Sequence, residues 1–126
     1  MDGVGYMILR LELDSGEYIV LAGTGVRDET DGSGDKASFY DPFGVAISQD
    51  GDTLYVTDNN GFVRKVTGVQ NAQDLSKINV ATIAGGGYHM NVGDAPVPGE
   101  QCKFYIARWI SIIKHRGYIV YYRCCL

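Results

Sequence analysis

The chain is 126 residues long, 45% hydrophobic, 21% charged and 11% aromatic, which leaves room for one core and excludes both a disordered tail and a fibrous repeat. Eleven basic against fifteen acidic residues give a net charge of −4. No overall field therefore draws the chain toward phosphate backbones or anionic lipid, and nucleic acid is a disfavoured partner. Seventeen Gly and nine Tyr against three Pro favour many short strands joined by tight turns.

In chain order, alternating or β-branched apolar runs predict strands over Met7–Leu13, Tyr18–Ala22, Phe43–Ser48, Thr53–Thr57, Phe62–Thr67, Ile78–Ala84, Trp109–Lys114 and Tyr118–Tyr122. Turn signals separate them: Asp14-Ser15-Gly16, Asp50-Gly51-Asp52 and Asn59-Asn60-Gly61, the last suited to the positive φ angles of a tight hairpin. Neighbouring strands should run antiparallel. Only Gln70–Lys77 could hold a helical turn, and it reads as a loop.

The chain also repeats itself. Ala37-Ser38-Phe39-Tyr40 returns as Cys102-Lys103-Phe104-Tyr105, and at the same spacing Val45 meets Ile110, Ile47 meets Ile112 and Leu54 meets Ile119. Val63-Arg64-Lys65-Val66 echoes Ile8-Leu9-Arg10-Leu11, and Thr82-Ile83-Ala84-Gly85 echoes Val20-Leu21-Ala22-Gly23. Each unit holds four strands, and such a sheet cannot bury both faces alone, so it must stack on others like the blades of a β-propeller.

The central copy resembles the NHL repeat, a family of propeller blades. The resemblance rests on Leu21-Ala22-Gly23-Thr24-Gly25, Asp31-Gly32, Ala37-Ser38-Phe39, Pro42-Phe43-Gly44-Val45-Ala46, Gly51, Leu54-Tyr55-Val56-Thr57-Asp58 and Val63-Arg64-Lys65-Val66. It is close over residues 7 to 67 and loose over 80 to 123, where Ala107, Trp109 and Arg123 replace the proline, glycine and aspartate. It implies an all-β fold of antiparallel four-stranded blades, about two of them: a half blade over 7–22, a full blade over 43–84 and a half blade over 109–123, with 1–126 a partial propeller of the usual six-bladed kind. Gly23 and Gly25 should supply positive φ or close approach where the chain crosses between blades. Phe39 should plug the space between blades, Val45, Ile47, Leu54 and Val56 should feed the inter-blade core, and Asp58 should hydrogen-bond its own turn. Trp109 either projects into the central channel or marks a blade that packs irregularly.

The strand count leaves apolar faces and edges open. The missing blades belong either to a longer chain, which the sequence reading prefers, or to two further copies in a homotrimer. Three cysteines, Cys102, Cys124 and Cys125, are odd in number and two are adjacent, which argues against a disulfide framework and points weakly to a reducing, cytoplasmic setting. The apolar patch from Tyr6 to Leu9 is too short for a secretory leader, and the run from Tyr118 to Tyr122 is far below the roughly 20 residues of a membrane helix.

Candidate binding residues are Asp28, Asp31, Asp35 and Asp58, expected with Glu29 and Asp41 on one acidic rim that would receive a basic peptide or a cation, and Arg108 and Trp109 near the axis. A calcium loop from Asp31 fails, because Lys36 stands where glycine is needed and Pro42 where the bidentate Glu belongs. His89 and His115 lack partners at zinc-ligand spacing, and no nucleophile elbow or phosphate loop is present. No catalytic residue, metal or cofactor is predicted. The resemblance implies a non-catalytic interaction module that binds a protein or peptide through its blade-connecting loops. Its alternatives are part of a propeller enzyme, a metal-dependent lyase or lactonase-like hydrolase, or a binder of single-stranded RNA using Arg108, Trp109, Lys114, His115 and Arg116.

Overall fold

The structure, a computed structural model, describes residues 5–59, 61–85, 107–112 and 119–123. Nine strands fall within them: β1 (Ile8–Leu11), β2 (Tyr18–Ala22), β3 (Gly32–Ser33), β4 (Pro42–Ile47), β5 (Thr53–Asp58), β6 (Phe62–Thr67), β7 (Asn79–Ala84), β8 (Ala107–Ile112) and β9 (Ile119–Arg123). The order is an antiparallel hairpin β1–β2, a five-stranded antiparallel sheet β3-β7-β6-β5-β4 and a second hairpin β8–β9. The architecture is all-β and propeller-like, and it is not closed. Each of the eight runs predicted as strands overlaps one, with ends that differ by up to two residues for β4, β5, β8 and β9. The two-residue β3 was not predicted; Gly32 and Ser33 have no apolar period and join the sheet by pairing with Val80 and Asn79. The stretch read as a loop holds two short 3-10 turns, Val69–Asn71 and Leu75–Lys77. Among the described residues no helix is long and apolar enough to cross a membrane.

The internal repeat extends to strand register. In the central sheet Pro42 faces Asp58, Gly44 faces Thr57 and Val45 faces Val56, with a bulge between the first two pairs. In β8–β9 the equivalent Ala107 faces Arg123, Trp109 faces Tyr122 and Ile110 faces Tyr121, with the bulge in the same place. Likewise Val63↔Ala84, Arg64↔Thr82 and Val66↔Val80 in β6–β7 return as Ile8↔Ala22, Leu9↔Val20 and Leu11↔Tyr18 in β1–β2, again with matching bulges. A bulge consumes one unpaired residue and bends its strand, so its recurrence at equivalent positions marks equivalent strands. β1–β2 therefore corresponds to the second half of the central sheet and β8–β9 to its first half.

Two glycines show why the repeat needs their residue type. Gly85 leaves β7 at φ 93°, and a Cβ there would lie 2.0 Å from the Gly61 carbonyl oxygen. Gly23 leaves β2 at φ 111°, and its Cβ would lie 2.9 Å from the Tyr6 carbonyl oxygen. Tyr6 thus stands where Gly61 stands in the central sheet, and it alone among the described non-glycine residues has positive φ, 62°.

The core lies between the β1–β2 hairpin and one face of the central sheet. Period-2 alternation sends Leu54 and Val56 on β5, Val66 on β6 and Val80 on β7 to that face, where they meet Ile8, Leu21, Ala22, Ala37, Phe39, Val69 and Ile78. Phe39 is fully buried, in keeping with a plug between blades. Val45 and Ile47 depart from expectation. They share the face with Leu54 and Val56, yet are 57% and 56% exposed. The opposing sheet has two strands, which cover β5 to β7 and stop short of β4.

Candidate functional site

The segment between β2 and β4 crosses from one sheet to the other, and its backbone is tied to both. Gly23 and Thr24 donate to the carbonyls of Gly34 and Ala37, Gly34 donates to Leu75 and Ile78, Ser38 donates to Thr30, and Asp28 donates to Phe39. These bonds give the crossing a defined path but leave its acidic side chains near one another, which requires a counter-charge.

Arg64 supplies it. Alternation along β6 places this residue on the inward face with Val66, and its side chain is fully buried. The guanidinium donates through Nη2 to Asp31 Oδ1 at 2.8 Å and to the Thr30 carbonyl at 3.0 Å. Through Nη1 it donates to the Ser38 carbonyl at 3.0 Å and, at 3.4 Å, to Asp58 Oδ2; Nε also donates to Asp31 at 3.2 Å. Its carbon lies 5.0 Å from the centre of the Phe39 ring. A buried cation is tolerable only with its donors satisfied and its charge opposed, and both conditions hold here.

The two carboxylates differ in their surroundings. Asp58 is fully buried; its Oδ1 accepts from the amides of Asp41 at 2.6 Å and Asn59 at 3.1 Å, and its Oδ2 from the amide of Tyr40 at 2.9 Å. It hydrogen-bonds its own turn, as expected, but chiefly it anchors the entry to β4. Its expected place on an exposed rim is therefore corrected: alternation turns it inward beside Arg64. Asp31 is half exposed and also accepts from the amide and hydroxyl of Thr82 on β7, each at 2.9 Å. The structure brings Asp31, Asp58 and, through the Asn59 amide nitrogen at 3.1 Å, Asp41 to one place.

Asp28 and Asp35 remain on the outer surface of the crossing. Asp28 accepts from the Glu29 amide at 2.8 Å and the Thr30 hydroxyl at 3.4 Å, and Asp35 from the Ser33 hydroxyl at 2.6 Å, all local bonds that leave both residues exposed. Arg27 is exposed, donates to the Tyr40 carbonyl and stacks 4.0 Å from that ring's centre, with Tyr6 at 5.9 Å. Among the described residues no group of three or more His, Cys, Asp or Glu side chains could hold a metal ion. The side chains of Arg108 and Trp109, on β8, lie outside the described residues, as do His89, Cys102, Phe104, Lys114, His115, Arg116, Cys124 and Cys125.

A second feature is an apolar cleft of about 300 Å³ between β1 and the β4–β5 edge, lined by Ile8, Leu9, Leu21, Val45, Ile47 and Leu54 among others. It follows from the short opposing sheet. Arg64 itself was seen in the sequence only as part of a repeat; the available signal was its alternation with Val66, which puts a charge on a buried face and demands acidic partners.

No family model matches the chain, and no curated protein does. Solved structures do match its fold. A structural genomics protein of unknown function from Bacteroides thetaiotaomicron VPI-5482 superimposes with a TM-score of 0.66 at 20% identity, over 85% of this chain and 25% of that one. An auxiliary nutrient binding protein from the same organism superimposes with a TM-score of 0.62 at 22% identity, over 91% of this chain and 29% of that one. The chain thus spans less than a third of the length of these structures, and at such identities the likeness is one of fold: an antiparallel, blade-like β-structure that recurs inside larger proteins.

Proposed function

We propose that the chain is part of an NHL-type propeller and acts as a non-catalytic binding module, its protein or peptide partner held by the loop between β2 and β4. The supporting observation is the clasp around Arg64. A buried cation with two carboxylates and two backbone carbonyls fixes the shape of one connecting loop, and a preformed loop loses little entropy when a partner docks on it. The same clasp buries Asp58 and engages both carboxylate oxygens of the half-exposed Asp31, which leaves Asp28 and Asp35 to meet the partner. Their charge favours a basic segment. One fold neighbour is described as a nutrient binding protein, which agrees with a binding role.

Selection of random peptides displayed on phage against the immobilised chain tests this. Enrichment of Lys- and Arg-rich peptides is expected, with at least tenfold weaker binding to the Asp28→Ala/Asp35→Ala variant and an unchanged urea midpoint. Failure to enrich any peptide, or binders indifferent to both substitutions, would refute the reading.

A further inference from the structure

We propose that Arg27 selects the partner of the β2–β4 loop by taking a carboxylate of the peptide whose basic side chain meets Asp28, so that the preferred segment carries an Asp or Glu beside its Lys or Arg. The inference rests on the peptide-binding reading above and names what that peptide must contain. The observation is an exposed cation held in place among acidic residues and neutralised by none of them. Asp28 and Glu29 follow Arg27 directly, and Asp31 and Asp35 lie farther along the same loop, yet among the described residues its guanidinium enters no ion pair. Nε donates to the Tyr40 carbonyl at 3.2 Å, and the guanidinium carbon lies 4.0 Å from the centre of the Tyr40 ring and 5.9 Å from that of Tyr6. A guanidinium carries five N–H donors in a planar fork, so stacking over its face and a bond at Nε leave the two Nη groups for a ligand.

The buried clasp sets this arrangement. Arg64 pairs with Asp58, Asp58 Oδ2 accepts from the Tyr40 amide at 2.9 Å, and Tyr40 supplies both the carbonyl and the ring on which Arg27 lies. The backbone is tied as well: Arg27 forms an isolated parallel bridge with Phe39, and the Asp28 amide donates to the Phe39 carbonyl at 3.3 Å. The site is therefore built from the crossing itself and not from an open strand edge. An arginine side chain gives up about 2 kcal/mol of rotamer entropy when it is immobilised, and stacking on Tyr40 has taken part of that loss before any partner arrives. A carboxylate matches the remaining fork edge to edge, through two parallel N–H···O bonds that a single ammonium cannot reproduce.

Arg27 and Asp28 are consecutive, both exposed and opposite in charge, so they act on a partner together. A segment made of basic residues alone gains at Asp28 and meets a like charge at Arg27. A wholly acidic one gains at Arg27 and is repelled by Asp28, Glu29 and Asp35. A segment with a carboxylate within two positions of its basic residue satisfies both, and the loop thereby discriminates by repulsion as well as attraction. Residues of an extended peptide rise about 3.3 Å each, so side chains one or two positions apart reach adjacent residues of the loop.

The probe is the most enriched sequence from the phage selection on the unsubstituted chain, synthesised with an amidated C-terminus so that no terminal carboxylate competes, and its binding is followed by fluorescence anisotropy. The enriched sequences should place an Asp or Glu within two positions of a Lys or Arg. Changing that peptide residue to its amide should weaken binding to the unsubstituted chain roughly tenfold, the loss of one charge-assisted pair, and should leave binding to Arg27→Gln unchanged. Arg27→Lys, which keeps the charge and loses the fork, should bind the acidic peptide more weakly than the unsubstituted chain. The urea midpoint of Arg27→Gln should equal that of the unsubstituted chain, and the change made in the peptide gives the same answer without any protein variant. Enriched peptides that are basic with no acidic residue, or an acid-to-amide change that the unsubstituted chain ignores or that Arg27→Gln feels equally, overturn the role of Arg27 and leave the Asp28 and Asp35 reading standing. Failure to enrich any peptide removes that reading and this one with it.

Discussion

Arg64 and Asp31 form an ion pair at 2.8 Å, yet the two residues should contribute unequally to stability. Arg64 is wholly buried, and replacing it with Met removes the cation opposite Asp58, whose carboxylate is equally buried and cannot be rehydrated. Leaving a buried charge without its partner costs about 3–5 kcal/mol. Asp31 is half exposed, and in the Asp31→Ala variant water can reach the site and solvate the guanidinium; the loss is that of a partly exposed charged hydrogen-bonding group, about 1–2 kcal/mol. Urea denaturation of both variants should therefore show a much larger fall in midpoint for Arg64→Met than for Asp31→Ala. Equal effects would mean that Asp58 is not the group Arg64 neutralises. At this scale the sequence was only partly legible. The acidic residues of the β2–β4 crossing stand out by composition, but which of them turn inward depends on Arg64, more than twenty residues farther along.

At the level of elements, strands and turns were legible because each carries its own local cause. Alternating apolar residues set β5 to β7, and the turn between β4 and β5 is built by short side chains. The Ser48 hydroxyl donates to Asp50, the Asp52 amide donates to the same carboxylate at 3.1 Å, and Thr53 donates back to Ser48 at 3.0 Å. These bonds, the one from Ser48 foremost, hold the Asp50 carboxyl below its ordinary value of 3.8; Asp74 is lowered in the same way, first by the Ser76 hydroxyl and then by the Ser76 amide. A lowered folded-state value means that the fold favours the carboxylate. Its contribution is complete above the ordinary value and is lost as pH falls through the lower one, so the turn weakens on the acid side only. Titration of the Asp carboxyl carbons by NMR should place the Asp50 midpoint below 3.8, and Ser48→Ala should move it up toward that value while leaving Asp74 unchanged. An Asp50 midpoint that ignores the loss of Ser48 would show that the amide alone sets it. What local causes did not reveal is β3, whose two residues are strand only because Val80 and Asn79 stand beside them.

Over the whole molecule, stability should follow the number of neighbours each strand has. β5, β6 and β7 are paired on both sides and carry much of the core, whereas β1 and β4 are edges and Val45 and Ile47 are exposed on β4. The repeat made the blade pattern legible, but not this asymmetry: alternation assigns Val45 and Ile47 to the same face as Leu54 and Val56, and only the extent of the opposing sheet decides which of them is covered. Amide exchange separates these cases, because it reports local opening free energies rather than an average. In dilute solution the amides of Val56, Arg64 and Val66 should exchange slowest, through global unfolding, and the β1 amides not bonded to β2 should exchange fastest of all strand amides. Uniform protection across all strands would contradict the fold order itself, since it would require β1 and β4 to be as fully paired as β6.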